Sequence, residues 1–198
     1  MPAKSNNKKT ARHNTNSVRI IAGDWRGRKL SFPDIPGLRP TGDRTRETVF
    51  NWLAPYIYES RVLDLFAGSG ALGMEAISRG AKHCIFVEAE HQAAQSLSNN
   101  LKSLQCDIGK VIQKNAFDAL YEIPAHSIDL LFLDPPFDAQ LHQSILDSLG
   151  ARQILAPSAL VYLEAPSHEL IQLPIGWSQL KEKVSGQVRF SLYQTAAD

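Results

Sequence analysis

Two apolar patterns alternate along the chain between residues 61 and 164. Short apolar runs of strand length occur at 61–66, 83–87, 109–114, 128–133 and 159–164. Between them, apolar residues fall at helical spacing: Met74, Ala76 and Ile77; Ala93, Leu97, Leu101 and Leu104; a short stretch at 117–121; and Leu141, Ile145, Leu146 and Leu149. Strands alternating with helices predict an α/β fold built on a doubly wound, mainly parallel sheet. Two further strand patterns, 177–183 and 187–193, flank Ser185-Gly186 and predict an antiparallel hairpin finishing that sheet. Upstream, 18–30 reads as a hairpin that turns at Ala22-Gly23-Asp24, with a bulge at Gly27. A proline-punctuated connector follows. Then comes a helix capped by Thr41 or Asp43 that ends near Leu53, with Val49, Phe50, Trp52 and Leu53 on its apolar face.

These elements divide the chain into a polar tail (1–16) too poor in apolar residues to order itself, a hairpin-and-helix extension (17–54), and a main domain (55–198). Charge sharpens the division. Residues 1–46 carry eleven Lys and Arg against three Asp, while the remainder is net negative by seven. A basic front end on an acidic body suits a polyanion. Arg26, Arg28 and Lys29 crowd around Trp25, and Arg19, Arg39, Arg44 and Arg46 extend the stretch. Cations beside an aromatic ring favour looped or single-stranded RNA; the competing reading is a charged edge strand protected from aggregation. Cys84 and Cys106 have no metal-ligand spacing, the six histidines form no H-x-x-x-H pair, and no metal site is expected. Reduced thiols and a polar N-terminus without an apolar signal region point to a cytoplasmic protein. No apolar run approaches the length of a membrane span, and no apolar stripe is left over, which favours a monomer.

The candidate chemistry sits at strand ends. The run 128–133 stops at Asp134-Pro135-Pro136-Phe137, because two prolines cannot continue a ladder. A carboxylate and a prolyl carbonyl can each accept one hydrogen of an NH2 group, and Phe137 can stack on the ring that carries the amine. The first central strand ends in Asp64-Leu65-Phe66-Ala67-Gly68-Ser69-Gly70, a glycine loop before a helix, and the next ends in Glu88, placed to bond ribose hydroxyls. Gly68-x-Gly70-x-x-Gly73 also satisfies the dinucleotide fingerprint, so an NAD-dependent oxidoreductase competes. Asp64 weighs against a pyrophosphate there and in favour of a cationic cofactor.

Asp64-Leu65-Phe66-Ala67-Gly68-Ser69-Gly70 resembles the first motif of the class I S-adenosylmethionine-dependent methyltransferases, and Asp134-Pro135-Pro136-Phe137 resembles their fourth motif as found in enzymes acting on amino or amide nitrogens. From Val18 onward the chain is similar to the RsmD-type 16S rRNA guanine-N2 methyltransferases, through Trp25-Arg26-Gly27-Arg28-Lys29-Leu30, Leu38-Arg39-Pro40-Thr41 and Arg46-Glu47-Thr48-Val49-Phe50-Asn51-Trp52-Leu53. The resemblance implies a seven-stranded Rossmann-like methyltransferase sheet with a small N-terminal extension, S-adenosylmethionine as cofactor, and methylation of a guanine 2-amino group in 16S rRNA, naked or within the small ribosomal subunit. It implies that Asp64, Phe66, Gly68 and Gly70 hold the methionine end, Glu88 the ribose, and Asn115-Ala116 the adenine. Asp134, Pro135, Pro136 and Phe137 would form the catalytic tetrad, and the basic residues of the extension would meet the RNA. Adenine-N6 methylation of DNA, glutamine methylation of protein and a non-catalytic RNA-binding module are the other readings.

Overall fold

The computed structural model describes residues 15–38, 40–136 and 141–197. β1 (Thr15–Arg19) and β2 (Lys29–Pro33) form an antiparallel hairpin, and α1 (Asp43–Leu53) follows. The main body runs β3 (Arg61–Asp64), α2 (Ala71–Ser78), β4 (His83–Val87), α3 (His91–Ser103), β5 (Gly109–Ile112), α4 (Ala116–Leu120), β6 (Ile128–Leu133), α5 (His142–Arg152), β7 (Leu155–Pro166), β8 (Ser178–Ser185) and β9 (Val188–Gln194). Its seven strands lie in the order β5-β4-β3-β6-β7-β9-β8. The first five are parallel, and β9 is antiparallel to both β7 and β8.

β6, apolar except for Asp129, shows why such a run makes a central strand. Leu130 and Phe132 face one core layer with the extension, α1, α2 and α3; Leu131 and Leu133 face the other, with α4 and α5. Side chains alternate across a strand, so apolar residues at every position bury both faces. The strand order turns back between β3 and β6. Such a reversal opens a crevice at the carboxyl ends of the strands. The glycine loop and the Asp134 turn both sit there.

The extension is welded to the main body by one buried acid. Glu75 of α2 accepts hydrogen bonds from the main-chain N–H groups of Ile21 (2.7 Å) and Ala22 (2.9 Å). It also pairs with Arg79 at 2.7 Å and with Arg46 of α1 at 3.6 Å. β2 lies along α3, where the Asn100 amide bonds both the N–H and the carbonyl of Ser31. The N-terminal turn differs from the short one that the sequence suggests. It spans residues 20–28, closed by Ile20 and Arg28, and within it Gly23 packs so closely on Ser78 that an added Cβ would lie 1.7 Å from its carbonyl oxygen. Gly27, at φ +82°, faces Ile20 together with Arg28, a glycine bulge. α1 is capped by Gly42 with no side-chain bond, so neither Thr41 nor Asp43 caps it; the Thr41 hydroxyl points elsewhere and Asp43 binds Arg46.

Candidate active site

Asp64 is the last residue of β3 and is buried. One of its oxygens accepts the N–H of Gly73 at 3.0 Å, which ties the strand end to the first turn of α2. Gly70, at φ +76°, is pressed against Leu97, so a side chain would collide there. Burial raises the Asp64 carboxyl to about 7, the nearby Glu88 adding to the effect. Phe66 is half-buried beside this loop. Glu88, just past β4, accepts the N–H of Gly68 on one oxygen and of Glu90 on the other, both at 2.8 Å. A carboxylate has about four acceptor positions, so Glu88 can still take ribose hydroxyls. Asn115 caps α4, its carbonyl accepting the Asp118 N–H at 2.9 Å and its amide reaching the Asp118 carboxylate; Ala116 beside it is buried.

β3 and β6 are neighbours, with Asp64 opposite Phe132, so Asp134 emerges two residues further along. Pro135 is buried and Pro136 exposed. Phe137 lies outside the described residues, as does Arg39. The next strand adds a residue that was not among the sequence candidates. β6 and β7 pair Phe132 with Tyr162 and Leu133 with Leu163, so the positions that follow are Asp134 and Glu164. The Tyr162 hydroxyl donates to Glu164 Oε1 at 2.5 Å. The Thr41 hydroxyl lies 3.1 Å from that same oxygen and 3.5 Å from Asp134 Oδ2. Burial, with Glu164 and Asp64 nearby, drives the Asp134 carboxyl well above the usual carboxylate range; burial also raises Glu164. No Lys or Arg among the described residues forms an ion pair with Asp64, Asp134 or Glu164. Among the described residues, the acids that line the crevice have no ion-paired cation. A cationic, amine-bearing cofactor fits this donor set, whereas a pyrophosphate would face Asp64 beneath the loop.

The basic candidates do not form one patch. Arg19, Arg26, Arg28, Lys29 and Arg44 are exposed. Arg44 stands on the first turn of α1, close in sequence to Thr41. The hairpin turn sits at the other end of the sheet: Asp24 and Trp25 bond Ser78, and Arg28 bonds the Ser103 carbonyl, at the last residues of α2 and α3. Arg46 must be removed from the RNA-facing set. It is fully buried, bonded to the Arg19 and Thr41 carbonyls and to Asp43, and paired with Glu75.

The family model described as Conserved hypothetical protein 95 matches residues 18–194. Ribosomal RNA small subunit methyltransferase D of Haemophilus influenzae is 46% identical over 181 residues, 89% of this chain and 93% of that protein. The Escherichia coli protein of the same name is 44% identical over 191 residues, 96% of each chain. The solved structure of yhhF from Escherichia coli superposes with a TM-score of 0.85 at 42% identity and covers 92% of this chain and all of that one.

Proposed function

The chain belongs to the Conserved hypothetical protein 95 family, that of the RsmD-type methyltransferases, and from this premise we propose that it methylates the exocyclic 2-amino group of a guanine in 16S ribosomal RNA, with S-adenosylmethionine as methyl donor. The observation that carries the reading is adjacency: Asp64 with its glycine loop and Asp134 with its two prolines leave the carboxyl ends of paired strands at the point where the sheet order reverses.

S-adenosylmethionine supplies an ammonium group and an electrophilic methyl carbon on a sulfonium. Asp64, buried and with no ion-paired cation among the described residues, would hold the ammonium, Glu88 the ribose, and Asn115-Ala116 the adenine edge. Asp134 and the Pro135 carbonyl would accept the two hydrogens of the guanine amine, draw its nitrogen out of conjugation and aim its lone pair. Phe137 would stack on the base. Fixing two reactants in line is worth about 7–11 kcal/mol in favourable systems. Taking a base out of its stack costs a few kcal/mol. The exposed cations of residues 17–54 provide the charge to hold the RNA, Arg44 near the crevice and Arg26, Arg28 and Lys29 at the far end. The test supplies radiolabelled S-adenosylmethionine with rRNA, small subunits, DNA and protein in parallel and identifies the modified base. N2-methylguanine in the rRNA or subunit arm is expected; label confined to DNA or protein would overturn the proposal.

A further inference from the structure

Four of the five parallel strands deliver an acid to the crevice: Asp64, Glu88, Asp134 and Glu164. The reading above uses the first three. Glu164 is without a role in it, although it is only 7% exposed and elaborately held. Its Oε1 accepts from the buried Tyr162 hydroxyl at 2.5 Å, and its main-chain carbonyl accepts from His142 Nε2 at 2.8 Å. The far nitrogen of that imidazole lies 2.9 Å from the Glu169 carboxylate. Burying a carboxylate without a cation is costly.

The Thr41 hydroxyl has a single hydrogen, and two carboxylates lie within its reach. The contact to Glu164 is the shorter, so Glu164 collects two donors while Asp134 keeps the weaker share. Asp134 thus stands next to a second carboxylate that holds the better donors, and among the described residues it keeps only the longer contact to Thr41. Facing it are Glu164 and Tyr162 from β7, Asp64 from β3 and Thr41 from the connector; behind Glu164 stand His142 of α5 and Glu169.

We infer that Glu164 is a positioning residue of the transfer site: its carboxylate, fixed by Tyr162 and Thr41, stands beside Asp134 and makes that carboxylate a stronger base toward the proton released by the substrate amine. This rests on the methyl-transfer reading above. As the amine lone pair forms the new bond to carbon, the carbon–sulfur pair returns to sulfur and the N–H proton passes to Asp134, which becomes a neutral carboxyl. Like charge nearby favours that protonated form. Turnover therefore rises with pH as Asp134 ionises, with a midpoint above the ordinary carboxylate range.

The test follows the Asp134 carboxyl by carbon-13 NMR titration, its resonance assigned with Asp134→Asn, and compares it with the pH profile of RNA methylation. In Glu164→Gln both midpoints should fall by about one pH unit or more, and plateau turnover should drop roughly tenfold because a weaker base remains. S-adenosylmethionine affinity should stay within about twofold of the parent, since Glu164 acts through Asp134. Glu164→Asp withdraws the charge without removing it and should shift both midpoints less; it serves as the readout should the glutamine variant fail to fold. Midpoints equal to the parent's in a folded variant would overturn the inference. A parent enzyme that leaves guanine N2 unmodified would instead sink the proposed function, and the NMR titration would still report on the acid pair.

Discussion

Two acidic centres lie within this molecule, and they are built on opposite plans. Glu75 is fully buried but surrounded by donors: two main-chain N–H groups, Arg79 and Arg46. Asp64, Asp134 and Glu164 are gathered at the crevice with hydroxyls and one N–H, and no cation among the described residues pairs with them. A buried charge neutralised from within holds a structure together. One left uncompensated stores unfavourable energy that a cationic or hydrogen-donating ligand can relieve. The two centres are also joined. Arg46, which pairs with Glu75, donates through Nε to the Thr41 carbonyl, and the Thr41 hydroxyl reaches the acids of the crevice. The N-terminal extension is therefore part of the site as well as a carrier of positive charge.

The sharpest way to break this comparison is to remove the structural acid. Glu75→Ala strands Arg46 in the core and frees the hairpin, and it should cost about 3–5 kcal/mol in denaturant unfolding. A loss within about 0.5 kcal/mol, the range of neutral surface changes, would mean that Glu75 is no keystone. Asp134→Ala should do the reverse. Turnover should fall roughly 10²–10⁴-fold, the usual span for a proton-handling group, while stability at neutral pH holds or rises. Assaying methyl transfer beside thermal unfolding separates the two effects; parental turnover in this variant would end the case for the tetrad.

Much of this was legible in the residue pattern, for physical reasons that particular positions make plain. Apolar runs located the parallel strands and β9, because burial on one or two faces writes itself into a period of two, while the exposed β8 was read through the Ser185-Gly186 turn. β7 is longer than its apolar run: it begins at Leu155, and Ser158 at φ +57° accompanies a register shift against β6, a stretch that Pro157 and Ser158 conceal in the sequence. Arg46 was read as an RNA contact because it is charged. Its position relative to Val49, Phe50 and Leu53 puts it on the same buried helix face. Its partner Glu75 lies 29 residues away, and such a pairing has no local signal. Glu164 did leave a trace: it ends the apolar run 159–164, much as Asp134 follows the run 128–133, and it shares a face with Tyr162. Thr41 left none, since a threonine before a helix reads as a cap.

A third substitution tests the buried acid that ends β3 and accepts the Gly73 N–H. The Asp64 carboxyl is raised in the folded protein from 3.8 to about 7, burial being the main cause. The fold thus binds this proton more tightly than the unfolded chain does. Its contribution to stability is complete below 3.8 and is lost as pH rises through about 7. Asp64→Asn keeps an oxygen for the Gly73 N–H and removes the titration. The variant should therefore match the parent in acid and exceed it by about 4 kcal/mol at mildly alkaline pH. Added S-adenosylmethionine should reverse the ranking, because its ammonium stabilises the ionised acid and has less to hold in the amide. Thermal unfolding across that pH range, with and without S-adenosylmethionine, reads both signs at once. Parallel pH curves for the two proteins would show that Asp64 is already compensated, and the contrast with Glu75 would then vanish at this position.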